Sequence, residues 1–133
     1  YLRELRDRLA AVPMDGLTPA EQLRALVGET LIAYQGMDHE HKIQTEGIPL
    51  LSPGQQKTLK SYQRDMVVQM NDVLAQIAGP EVAKDEVKLR AATMSVFGML
   101  NWFYMWNAKA DIRSRMEYAD LVTRLTLGGV ATI

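Results

Sequence analysis

The chain contains no cysteine, which excludes disulfides and any thiolate metal site and leaves a compartment compatible with the cytoplasm. Net charge is only -1 over 133 residues, so no lysine or arginine excess offers a surface for the phosphates of nucleic acid. No apolar run reaches the roughly 20 residues that a bilayer-spanning helix requires. The uncharged stretch Ala91 to Trp106 is held between Lys88 and Arg90 on one side and Lys109 and Asp111 on the other. A signal or transit segment is missing at the start; the chain begins at Tyr1 inside a helical pattern and reads as a fragment of something longer. Strand alternation, hairpin turn signals and internal repeats are also missing.

Catalytic patterns are equally scarce. A nucleophile needs a base within reach and a third group to orient that base, yet the only histidines, His39 and His41, share one polar stretch with Asp38 and Glu40. Spaced two apart, they point in different directions on a helix, so exposed surface is expected of both and no metal site. There is no Glu-x-x-His pair and no phosphate-cradling glycine loop, because Gly128-Gly129 is followed by no helix. Neither an enzyme nor a cofactor is expected.

What is present is helix. Hydrophobic residues make up 47 % and charged ones 23 %, ordinary values for one packed domain over 1–133. Leu2, Leu5, Leu9 and Val12 repeat at helical spacing, ended by Pro13 and Gly16. Thr18, Pro19 and Glu21 then spell a capped start, and Leu23, Leu26, Val27, Thr30, Leu31 and Tyr34 form its buried stripe as far as Gly36. Between Asp38 and Leu51 only a short helix from Ile43 to about Glu46 is expected. Ser52, Pro53 and Gln55 repeat the start signal for a long helix to Ala78 with Leu59, Tyr62, Met66, Met70, Val73 and Ile77 on one stripe; Gly79-Pro80 ends it. A polar linker leads to the central helix, capped by Asp85. The last helix runs from about Arg113 to Gly128-Gly129, with charges on the strip Arg113, Glu117, Asp120 and Arg124. The pattern is all-α, with five to six helices.

The central helix organises the rest. At about 100° per residue, Ala91, Ser95, Gly98 and Trp102 fall on one face and Thr93, Phe97, Leu100 and Tyr104 on the other. A helix apolar all round must be covered on both sides. The small face is therefore assigned to a second copy of the chain, through Ala91, Ser95, Gly98, Trp102 and Met105 together with Tyr118, Leu121 and Leu125 of the last helix. The bulky face is assigned to the interior, where Thr30, Tyr34, Tyr62, Met66, Met70, Thr93, Phe97, Asn101 and Tyr104 are the candidates to line a ligand site. Flexible methionines suit an irregular cavity.

The run Phe97-Gly98-Met99-Leu100-Asn101-Trp102-Phe103-Tyr104-Met105-Trp106, followed by an amphipathic helix ending in Gly128-Gly129, resembles the C-terminal regulatory domain of TetR-type transcriptional repressors. The resemblance implies a homodimer whose last two helices pair with their copies as a four-helix bundle, and an internal cavity for a small hydrophobic effector, in some subgroups an acyl- or aryl-CoA thioester. It also implies that 1–12 is a lead-in helix to an N-terminal helix-turn-helix domain absent from this sequence, through which alone operator DNA would be bound. Two other readings stay open: a structural interaction module without a small-molecule ligand, and a small helical enzyme using His39 or His41.

Overall fold

The computed structural model describes the backbone of residues 1–133 and every side chain except that of Thr45. Seven α-helices follow in order: α1 (Leu2–Ala10), α2 (Pro19–Ala33), α3 (Asp38–Gly47), α4 (Pro53–Ile77), α5 (Pro80–Lys84), α6 (Glu86–Asn107) and α7 (Ile112–Val130), with a short 3-10 turn at Ile48–Leu50. Two of them depart from expectation. The helix expected from Ile43 begins at Asp38, whose carboxylate sits with that of Glu40 in the first turn, where the positive end of the helix dipole favours negative charge. The expected polar linker holds α5, opened by Pro80, because proline's missing N–H costs nothing at a first helical position.

The capped starts are built as the sequence spells them. Thr18 accepts from the Glu21 amide at 3.2 Å while the Glu21 carboxylate accepts from the Thr18 amide at 3.0 Å. Those bonds hold the Glu21 carboxyl below its usual range. Ser52 and Gln55 repeat the box on α4. Asp85 caps α6 and Asp111 caps α7, each accepting an amide three residues on. Gly16 and Gly36 turn the chain with φ of +79° and +75°, a region that residues with a Cβ rarely enter.

Packing follows the stripes: α2 lies along α7, α1 against α4, and α4 against α6. Leu23, Leu26, Val27, Leu31, Leu74, Leu100 and Val122 fill the centre. Helices α2 and α7 approach closely at Gly28, where an added Cβ would stand 3.3 Å from the Met116 methyl.

One side chain in this frame escaped the sequence reading. Arg115 is 1 % exposed, and its guanidinium donates to the carbonyls of Leu31 at 3.0 Å, Ala110 at 3.0 Å and Ala108 at 3.4 Å. These carbonyls belong to the last turns of α2 and the α6–α7 connection, where helix ends leave acceptors without intrahelical donors. The cation also stands 5.4 Å from the Phe103 ring centre. Burial lowers its pKa, partly offset by Asp38, but arginine's high starting value keeps it charged. A cation at the negative ends of two helix segments thus fastens α7 to α2.

Candidate functional site

A cavity of about 190 Å³ lies between α1, α3, α4 and α6. Helix α1 supplies Leu2, Leu5 and Leu9, one face of its stripe, as a wall. Of the residues proposed from sequence, Tyr34, Met66, Phe97 and Asn101 line this space. Tyr34 comes from the end of α2 and donates its phenol proton to Asn101 Oδ1 at 2.6 Å. Burial raises the Tyr34 pKa, so the phenol is a neutral donor and the pair joins α2 to α6 across 67 positions of sequence. The wall also holds Gln44, Gln63, Val67 and Met94.

The other five candidates stand outside this lining. Thr30 turns its hydroxyl back to the Leu26 carbonyl at 2.7 Å, and Met70 is 1 % exposed in the core. The Thr93 hydroxyl lies 3.0 Å from the Leu89 carbonyl and 2.9 Å from Asn71 Oδ1. Both threonines meet their needs within or beside their own helix. The Tyr62 ring is partly buried against the core and lies under the Arg6 guanidinium at 4.7 Å, while Tyr104 packs edge-on against His41 with centroids 5.5 Å apart.

His41 corrects the sequence reading. Expected at the surface with His39, it is only 8 % exposed, lines the cavity and packs against Tyr34 at 5.0 Å as well as Tyr104. Desolvation lowers its pKa, with Asp38 acting the other way. His39 does lie at the surface. The spacing argument was correct that the two point apart, but it could not say that one direction is inward. A helix beginning at Asp38 puts His41 on the inner side with Gln44; the missed helix start caused the missed histidine.

A second cavity of about 290 Å³ shares Leu2 and Gln44 with the first and continues outward past Tyr1, Glu40, Ile48 and Leu59. Burial, with the charges of Glu40 and Asp38, pushes the Tyr1 phenol pKa up to about 12. Its hydroxyl, Glu40 Oε2 and Gln44 Oε1 are buried and have no hydrogen-bond partner among the described residues. Among the described residues, neither cavity has a lysine or arginine in its lining.

The opposite face of α6 is bare. Ala91, Ser95, Gly98, Trp102 and Met105 are exposed, as are Leu121 and Leu125 of α7, and Tyr118 is half-buried. Trp102 is 60 % and Trp106 57 % exposed. Sequence reasoning missed Val87 and Trp106 on this surface, although Val87 shares the 3–4 spacing of Ala91, Gly98 and Trp102. Nothing approaches within 4 Å of where a Gly98 Cβ would stand. Phe103, Trp106 and Tyr118 form an aromatic knot between α6 and α7, with Phe103 stacked on Tyr118 at 4.6 Å. No described helix is long and apolar enough to cross a membrane.

Comparison with known proteins agrees with this arrangement. Residues 16–130 match the profile of the tetracycline repressor-like C-terminal domain. The fold is similar to that of a TetR-family transcriptional regulator from Bordetella parapertussis 12822, with a TM-score of 0.85 and 26 % sequence identity. The match covers 96 % of this chain and 66 % of that one. No curated protein matches the chain. With the profile spanning most of its length and seven helices in the matching arrangement, the chain belongs to the TetR-type regulators, as a C-terminal domain of that family.

Proposed function

We propose that this chain is the effector-binding and dimerisation domain of a cytoplasmic TetR-type transcriptional repressor, non-enzymatic and homodimeric. Its effector is a small hydrophobic metabolite taken up between α1, α3, α4 and α6. The observation that carries this reading is the cavity whose wall is α1 itself, through Leu2, Leu5 and Leu9. Operator DNA would be contacted through a domain outside this chain, which the family resemblance puts before α1; the chain spans 66 % of the Bordetella regulator.

In this reading α1 is the transmitting element. It is held to α4 by Arg6–Asp65 at 2.9 Å and by the Gln69 side-chain amide on the Leu9 carbonyl at 3.0 Å, and to α2 by Arg8–Glu29. A ligand that fits better beneath one position of α1 than another shifts the balance by that difference in affinity, typically about 1–3 kcal/mol. The bare face of α6 and α7 is then the dimer face, and a four-helix bundle with the partner's copies would cover it. Apolar area of that extent on a soluble domain marks an interaction surface.

An acyl- or aryl-CoA thioester, the narrower ligand class that the resemblance implies, would place its acyl part in the cavity and leave its nucleotide outside. Lys57, Lys60 and Arg64 line a separate groove on α4 and are candidates to meet its phosphates. The test is native mass spectrometry of the domain with a panel of CoA thioesters and uncharged apolar metabolites, repeated with Met66→Trp to fill the cavity. Dimers that take up a ligand, and lose it on Met66→Trp, are the expected result. A monomer that takes up nothing would leave the purely structural interaction module as the better reading.

A further inference from the structure

The apolar walls say that the effector is greasy; the unpaired atoms at the junction of the two cavities say what its polar end must be. Glu40 and Gln44 are four residues apart, so their side chains stand one above the other on α3. Glu40 Oε2 and Gln44 Oε1 are both acceptors, both buried and both without a partner among the described residues. A buried acceptor left unpaired costs about 1–3 kcal/mol, more when charged, and such atoms are rare enough in folded proteins to require a reason. Gln44 lines the inner and the outer cavity alike, and Glu40 lines the outer one. The reason is supplied if the missing partner is the bound molecule.

The sign of the surroundings narrows the chemistry. No lysine or arginine among the described residues lines either cavity, burial disfavours the charged form of His41, and Glu40 and Asp38 act on the neighbouring Tyr1 phenol as negative charges. A carboxylate or phosphate brought here would lose its water, meet two oxygen acceptors and find no counter-charge, with the neutral Tyr1 hydroxyl as the one unpaired donor beside them. A hydroxyl or amino group would instead give its proton to an acceptor that lacks one.

Resting on the effector reading above, we propose that the ligand of this site is an apolar molecule whose polar head is a hydrogen-bond donor, a hydroxyl or an amine, seated against Gln44 and Glu40 of α3. Its apolar body lies among Leu5, Leu9, Met66 and Phe97 in the inner cavity. Anionic heads are excluded by the same groups.

The experiment compares four probes with one apolar chain: 1-octanol, octylamine, octanoate and octyl methyl ether, with octanoyl-CoA as a fifth arm. Binding is followed by calorimetry on the domain. Octanol and octylamine should bind roughly tenfold or more tightly than octanoate or the ether. Gln44→Leu should bring octanol down to the level of the ether, whereas Glu40→Gln, which keeps an acceptor and removes the charge, should weaken octylamine more than octanol. A readout without ligand completes the test: Gln44→Leu removes an unpaired buried acceptor, so the melting temperature of the free domain should hold or rise. A fall would mark Gln44 as an ordinary structural residue and overturn the proposal. Octanoate or octanoyl-CoA binding as tightly as octanol, or silence from every probe, would overturn it too. If octanoate binds and Met66→Trp abolishes that binding, the cavity stands and only the donor head is lost; if Met66→Trp changes no binding, the cavity itself is misplaced.

Discussion

The two sides of α6 are built from the same kind of residue and treated in opposite ways. Toward α4 and α2, Thr93, Phe97, Leu100 and Phe103 are buried, and Asn101 is bonded to Tyr34. Away from them, Ala91, Ser95, Gly98, Trp102 and Met105 meet water although three are apolar and one carries no side chain. Burying an exposed Trp or Met side chain is worth about 1.5–3 kcal/mol for a residue of that size, so the outer side holds unused free energy that a second copy can take up. The inner side has satisfied its polar groups, Thr93 on the Leu89 carbonyl and Asn101 on Tyr34, and the unpaired acceptors across the cavity belong to Glu40 and Gln44 of α3. In the function proposed above, one helix would serve two partners, a small molecule and a subunit, because its faces differ in what they leave unfinished.

The frame that holds these two sides apart can be broken first. Arg115→Ala should cost about 3 kcal/mol or more, because it strips three carbonyls of their donor and leaves space beside Phe103. Urea unfolding measures this directly, and a loss under about 1 kcal/mol would show that the guanidinium is not what ties α7 to α2. The second break is confined to the outer side. Gly98→Leu meets nothing within 4 Å in the single chain, so helix content should be unchanged while the dimer weakens roughly tenfold or more in sedimentation. A variant that keeps both its fold and a tight dimer would move the interface away from the centre of α6.

The smallest effect sharpens the inner side. Because His41 has a folded pKa below its ordinary value of 6.5, the unfolded chain binds its proton first as pH falls. The stability due to neutral His41 is therefore complete above about pH 6.5 and declines as pH drops through that value toward the folded pKa. His41→Gln should flatten this part of the stability-against-pH curve. Thermal melts between pH 7 and pH 5 decide the matter, and equal curves for wild type and His41→Gln would place the histidine in water.

The helix-forming information was legible where it is local. Thr18-Pro19-Glu21 and Ser52-Pro53-Gln55 announce their helices because each cap is completed within four residues. The all-α class and the bare outer face of α6 could be read for a similar reason, since periodicity alone decides which residues share a side. Much of the cavity could not. Thr30 and Thr93 look like ligand-facing hydroxyls in a stripe, but a threonine can equally bond the carbonyl one turn back, and periodicity does not distinguish the two.

By itself, then, the sequence determined that this protein is a set of capped amphipathic helices with one element too apolar to remain single-sided. Tertiary structure alone decided which charged and titratable groups went inside. Arg115 finds the Leu31 carbonyl 84 positions away, and His41 is enclosed by tyrosines from α2 and α6. The physical reason is range: capping and periodicity are settled within a few residues, whereas the desolvation and pairing of a polar group depend on whichever distant segments the packed core brings beside it.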